Sequence, residues 1–212
     1  MTYLADVGAL ARKDLLLELR ARDTLPAMLL FVVSTLVVFH FVLPADSSDL
    51  AATGLLWVAL LFTALLGLSR AFAAEREQGV IDGLVLAPSD RSAIWLGKSL
   101  SILAFLALAE VIALPAYALF FQPVGAALVG GVALADVGIA AVGTLLAAMA
   151  TASRTRELLL PLLFLPLAIP IVIGGVGASV AGEPARYLGL LGLYDALFAI
   201  ICWASFEYVV TE

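Results

Sequence analysis

Six apolar runs dominate this chain, and each comes close to the ~20 residues that an α-helix needs to cross a hydrocarbon core. They cover Leu25–Leu43, Ala51–Phe72, Ala93–Phe121, Ala126–Thr151, Leu158–Ala178 and Tyr187–Val210. Lipid offers backbone N–H and C=O groups no partners, so spans of this length have to bond internally, as helices. The pattern therefore predicts an all-α polytopic membrane protein with six transmembrane helices, residues 1–212 forming a single transmembrane domain. Composition agrees: 64% of residues are hydrophobic and 13% charged, against about half and a quarter in soluble domains. One cysteine, Cys202, rules out an intrachain disulfide and a Cys-x-x-Cys pair. The net charge of -6 is spread over loops, so no nucleic-acid partner is expected. The N-terminus lacks the pattern of a cleaved secretory signal, so the first span is expected to be retained.

Residues 3–22 precede the spans and read as an amphipathic helix. Leu4, Gly8, Ala11, Leu15 and Leu19 form one stripe, with Asp6, Lys13 and Arg20 opposite. The basic residues Arg12, Lys13, Arg20 and Arg22 suit a helix lying in the membrane interface, with lipid as its partner. Basic residues also set the orientation. Arg12, Lys13, Arg20, Arg22, Arg70, Arg76, Arg91, Lys98, Arg154 and Arg156 fall on one side, and only Arg186 on the other. Both termini and the Arg70–Lys98 connection are thus expected in the cytoplasm.

That connection is where charge is densest, and its spacing predicts short helical pieces. Phe72 to Gln78 extend the preceding helix, with Gly79 as its C′ residue. Val80, Ile81, Leu84 and Val85 share one face of a second short helix, which Pro88 stops. Ser89 or Asp90 then caps the next span. An ordered helix pair held outside a membrane is suited to touch a partner. Gly97-Lys98-Ser99 resembles the end of a phosphate-binding loop, but position 92 is Ser where that motif needs Gly. Lys98 reads instead as a side chain snorkelling to the interface, and the chain is not expected to bind ATP itself.

Within the spans, Glu110 and Asp136 fall at similar depth on neighbouring helices. A carboxylate in hydrocarbon is costly, so each should face the bundle interior, a cavity or another subunit. They form either a polar seam on a substrate path or dimer interface, or neutral acids bonded to a neighbouring helix. His40 is the only histidine and reads as an interfacial polar residue. No cluster with metal-ligand spacing accompanies it, and no metal site is expected. Pro161, Pro166 and Pro170 should kink the fifth span. The glycine-rich stretch after them leaves two readings of residues 174–192, a re-entrant hairpin or a kinked helix with a Gly loop. No motif of an intramembrane hydrolase is present, and no catalytic residue is assigned.

The order of these features resembles the permease subunits of ABC type-two exporters. Their first cytoplasmic loop has the pattern Glu-x-x-x-Gly, Leu, Pro, then Gly-Lys, matched here by Glu75, Gly79, Leu84, Pro88, Gly97 and Lys98. Within that group the chain is similar to the CcmB family, the haem exporter B subunits of cytochrome c maturation. Arg12-Lys13-Asp14 through Arg22, Leu68 through Glu75, and the proline-spaced run Leu160 to Pro170 carry the likeness. Phe72-Ala-Ala-Glu75 stands where the family usually has Phe-x-x-Asp, the element on which an ATPase subunit docks. The resemblance implies a multi-pass subunit of the bacterial inner membrane, with ATP hydrolysed by two copies of a partner ATPase. It also implies a second copy of this chain, a tryptophan-rich haem-handling subunit and a haem chaperone, with haem as cargo of the complex. Phe72, Glu75, Gly79, Val80, Ile81 and Leu84 would make the docking contacts.

Two rival readings follow from the same residues. An ABC type-two permease for a drug, lipid or glycan shares the architecture. An intramembrane enzyme would use Glu110 and Asp136. A secondary transporter fits less well, because no repeat of broken helices is visible.

Overall fold

The computed structural model describes residues 3–44, 48–73, 75, 79, 90–152 and 156–211. Among them are seven long helices: α1 (Tyr3–Ala21), α2 (Thr24–Val42), α3 (Asp49–Arg70), α4 (Arg91–Phe120), α5 (Ala126–Ala152), α6 (Arg156–Val180) and α7 (Pro184–Thr211). Helices α2 to α7 are each long and apolar enough to cross a membrane. The helix ends follow local chemistry. Asp90 caps α4, its Oδ1 accepting from the Ser92 backbone N–H at 2.9 Å. The Ser92 hydroxyl donates to the same oxygen at 2.7 Å, and it and the backbone bond hold the exposed Asp90 carboxyl below its ordinary pKa. Glu18 Oε1 accepts from Thr24 N–H at 2.7 Å, so a carboxylate from α1 caps the first turn of α2. Pro184, whose missing N–H costs nothing in a first turn, opens α7.

Helix α5 is the centre of the bundle. Inside the protein, 72% of its apolar window is buried, against 17% to 39% for the other spans. Its sequence explains this, because runs of Ala and Gly let neighbouring backbones approach closely. It packs against α4, α6 and α7, and more lightly against α3. Polar groups pin α4 to it: Trp95 Nε1–H donates to Ala141 O at 3.1 Å, and Ser99 Oγ–H to Thr144 Oγ1 at 3.1 Å.

Helix α6 stays helical from Arg156 to Val180 with Pro161, Pro166 and Pro170 inside it. Residues 174–180 continue that helix, a turn follows at Ala181 to Glu183, and α7 begins. The re-entrant reading of residues 174–192 is thereby replaced by two packed helices joined by a short turn. The glycines serve packing: a Cβ on Gly175 would collide with the Trp57 ring of α3.

Helix α1 packs on α4 through a face other than its apolar stripe. Val7 is buried and Leu10 packs against the core, whereas Leu4 and Leu19 of the stripe are exposed. The reason is charge. Lys13 and Asp14 have partners on α4 and on the segment after α3, and meeting them turns the Val7–Leu10–Asp14 face inward. Gly97 makes the approach possible, since a Cβ there would stand 2.8 Å from Leu10 Cβ and 3.2 Å from Val7 O. The 30 residues of α4 span roughly 45 Å, longer than the hydrocarbon core, so its first turns extend beyond the bilayer, where α1 meets them.

Gly97→Leu should therefore lift α1 off α4. Limited trypsinolysis of the purified protein should then cut at Arg12 and Arg20 several-fold faster than in the native sequence. Equal rates would show that contacts other than the Gly97 approach hold α1.

Candidate functional site

The charged groups flanking the second and third spans converge on one cluster. Lys98 Nζ donates to Ala71 O at 2.8 Å and to Glu75 Oε1 at 2.8 Å. It also stands 3.0 Å from Asp14 Oδ2, off the line a hydrogen bond needs, so charge rather than direction holds that pair. Lys13 Nζ reaches the same Glu75 Oε1 at 2.6 Å and Asp14 Oδ1 at 3.2 Å. The Phe72 ring completes the cluster, with Lys98 Nζ 4.8 Å from its centroid, within cation–π range. Two ammonium groups and two carboxylates thus balance in a site where Glu75 and Lys98 are 3% and 4% exposed.

Burial opposes ionisation of Glu75, but the Lys98 charge and the bonds from Lys13 and Lys98 outweigh it and hold its pKa below the ordinary value. Burial likewise works against the Lys13 charge, yet Glu75 and Asp14 raise its pKa. Both shifts favour the charged forms of Glu75 and Lys13.

Several expectations change here. Lys98 does not snorkel; its ammonium turns inward, because two buried carboxylates and a carbonyl offer it better partners than the surface. Phe72 is 8% exposed and packed in the core. Phe72 and Glu75 therefore face their own chain, anchoring the segment rather than presenting a surface. Gly79 has a left-handed φ of +64°, the conformation that a C′ glycine takes. Val80, Ile81 and Leu84 lie outside the described residues. Sequence reasoning missed Lys13 and Asp14 as members of the site. Their signal was an adjacent pair of opposite charges on a helix otherwise suited to lying flat.

Inside the bundle, Glu110 on α4 and Asp136 on α5 line one cavity, Asp136 buried and Glu110 half-buried. Asp195 on α7 is also buried and approaches α5 at Gly138. His40 closes the opposite end of the bundle. Its Nδ1–H donates to Phe120 O at 2.9 Å, satisfying a carbonyl at the end of α4, and its ring packs against Phe120 and Phe121. Beside it, Gln122 Nε2–H donates to Tyr117 Oη at 2.7 Å and to Thr53 Oγ1 at 3.0 Å. Of the three prolines, Pro166 is exposed, and near it Tyr194 Oη–H donates to Leu167 O at 2.8 Å, tying α7 to this part of α6.

The buried ions give two expected outcomes. Lys98→Met strands two carboxylates; removing one partner of a buried pair costs about 3–5 kcal/mol, and the remaining Lys13 puts the loss at the lower end. Lys98→Met/Glu75→Gln should recover part of that loss in thermal unfolding; no recovery would separate the two residues. The pH dependence follows from the directions of the shifts. Glu75 is depressed, so its contribution is full above its ordinary value of 4.5 and is lost as pH falls through its lower folded pKa. Lys13 is raised, so its contribution is full below 10.5 and is lost as pH climbs through its higher folded pKa. The gap in Tm between native and Glu75→Gln protein should be flat between these limits and narrow beyond them, in acid as Glu75 is protonated and in strong alkali as Lys13 loses its charge. A gap that closes near neutrality would contradict the ionic cluster.

Comparison with known proteins places this geometry. Residues 6–205 match the model of a family described as "CcmB: CcmB protein". A protein of Rhodobacter capsulatus named "Heme exporter protein B" is 32% identical over 207 residues, covering 93% of this chain and 95% of its own. Its namesake in Bradyrhizobium diazoefficiens is 29% identical over 210 residues, 96% of this chain and 92% of its own. That of Paracoccus denitrificans is 33% identical over 175 residues, 80% of each chain. The match spans all seven helices, from the charged face of α1 to α7, and the chain is a multi-pass membrane protein belonging to the CcmB family.

Proposed function

We propose that this chain is the permease subunit of an ABC transporter complex that handles haem during c-type cytochrome biogenesis. The observation that carries the proposal is the family match over residues 6–205, joined to the buried ion cluster at the root of the connection between α3 and α4. The chain supplies no nucleotide chemistry in this reading. A separate ATPase, in two copies, hydrolyses ATP and presses on the connection, with Val80, Ile81 and Leu84 as the contact face. Phe72 and Glu75 act one step inward. They fix the root of the connection to Lys98 on α4 and to Lys13 and Asp14 on α1, so a push on the connection moves those helices together. Such coupling works only through an element with discrete arrangements that nucleotide biases.

Haem enters as cargo of the complex, moved across or released with its chaperone, and a tryptophan-rich membrane subunit handles the ring. The termini and the connection face the cytoplasm, as the ten-to-one distribution of basic residues supports. The exposed leucines of α1, with Arg12 and Arg20 beside them, lie against lipid and its head groups.

Affinity purification of the tagged chain from its native membrane, with partners identified by mass spectrometry, should recover an ATPase and a tryptophan-rich haem-handling protein. An ATPase alone would favour an exporter of another cargo. No ATPase in mild detergent would favour the intramembrane enzyme. A cysteine at Leu84, with Cys202→Ala, should crosslink to the recovered ATPase. Failure at Leu84, Val80 and Ile81 alike, with the ATPase present, would remove the docking face.

A further inference from the structure

The cavity between α3, α4, α5 and α6 has an unusual lining. Glu110 and Asp136 contribute carboxyls, Trp57 contributes its indole, and the rest of the wall is aliphatic apart from Thr63. Thr63 Oγ–H is already engaged, donating to Ala59 O at 2.7 Å within its own helix. Trp57 is 2% exposed, and its Nε1–H has no acceptor among the protein groups. Its ring lies against Gly175, which leaves no room for a Cβ. The indole is thus held in place, and its N–H cannot swing out to find a partner elsewhere. A buried donor without an acceptor is costly, and the cavity has room for about one water molecule.

The carboxyls impose a second demand. Two carboxyl groups on the wall of one small, mostly aliphatic cavity are costly to ionise together, because mutual repulsion adds to the cost of desolvation. Among the described residues, no Lys or Arg lines the cavity to offset the charge, and Glu110 and Asp136 are the titratable groups on its wall. The other buried acid nearby, Asp195 of α7, meets α5 at Gly138, about 200° around the helix from Asp136. A proton on one carboxyl makes it a donor to the other. A water molecule can accept from Trp57 and donate to the remaining carboxyl oxygens, which gives it the partners a buried water requires.

We propose that Glu110, Asp136 and Trp57 form an intramembrane site for one exchangeable proton and one water molecule. The carboxyls share the proton, and the water bridges them to the indole N–H. The site joins α3, α4 and α5 through groups whose bonding depends on that proton, and it does so whatever cargo the complex carries.

Dicyclohexylcarbodiimide, an apolar reagent that attacks protonated carboxyls inside a bilayer, tests the site in native membranes. Peptide mapping should find a stable adduct on Glu110 or Asp136, and labelling should fall as pH rises. Asp136→Asn should move the pH midpoint of Glu110 labelling by roughly one unit or more, since it removes the like charge. Trp57→Phe keeps a ring against Gly175 but removes the N–H, and it should also displace the midpoint. No adduct on either carboxyl, with both peptides recovered, would overturn the proposal. An unchanged Glu110 profile in Asp136→Asn would overturn the shared proton, and an unchanged profile in Trp57→Phe the water bridge. The labelling of native protein needs no variant, so the proposal stays testable if a substitution prevents folding.

Discussion

The Lys98 ammonium is the contact on which the charged end of this molecule depends. Its partners come from two separate stretches, Asp14 on α1 and Ala71 O with Phe72 and Glu75 after α3, and it ties both to α4. Val7 of α1 is buried and Leu10 packs beside it, and charge adds to that contact. A buried cation without its anions is far more costly than a missing methyl group, so the elements are held in one arrangement by charge balance. Surface ion pairs do much less. Arg91 and Glu207 meet at 2.9 Å, but both are solvated, and such pairs are worth little.

The division between what the sequence revealed and what it hid has a physical basis. Spans are legible because length and hydropathy answer to the bilayer, a solvent of known thickness. The pairing of Glu110 with Asp136 was legible as a matter of depth, since rise per residue counts distance along a helix. Which way a side chain faces is not set by either quantity. Leu4 and Leu19 belong to the stripe expected to lie in the membrane interface, and they are exposed, while the face that packs on the protein is set by the charges of Lys13 and Asp14. Lys98 looked like a snorkelling residue because its acids lie 84 and 23 positions away in the chain (Asp14 and Glu75). Trp57 gave no signal at all. Its unpaired N–H is a property of where the ring is wedged, against a glycine on a helix more than a hundred residues later.

The two polar sites also obey different rules, and the difference follows from depth. At the charged end, acids and ammonium groups occur in equal number, so ions persist there despite burial. Among the described residues that line the cavity in the bundle there are two carboxyls and no Lys or Arg, so in our reading a proton limits the charge there. The same residue type, a glutamate, is therefore a fixed charge at position 75 and a proton carrier at position 110 in our reading.

Helix α4 runs through both sites and beyond them. It carries Lys98 in the ion cluster, Glu110 in the cavity, and Tyr117 and Phe120 in the polar knot with Gln122 and His40. Twelve residues separate Lys98 from Glu110, roughly 18 Å along an unbroken helix. Helices transmit displacement along their axis because their backbone bonds resist stretching, whereas side-chain packing between helices can slip. A force applied at the root of the α3–α4 connection would thus reach the cavity with little loss. It would change the distance between Glu110, on the moving helix, and Asp136, on the central one. Any site whose proton is shared across that gap must respond to the movement, and by reciprocity its protonation must bias the position of α4.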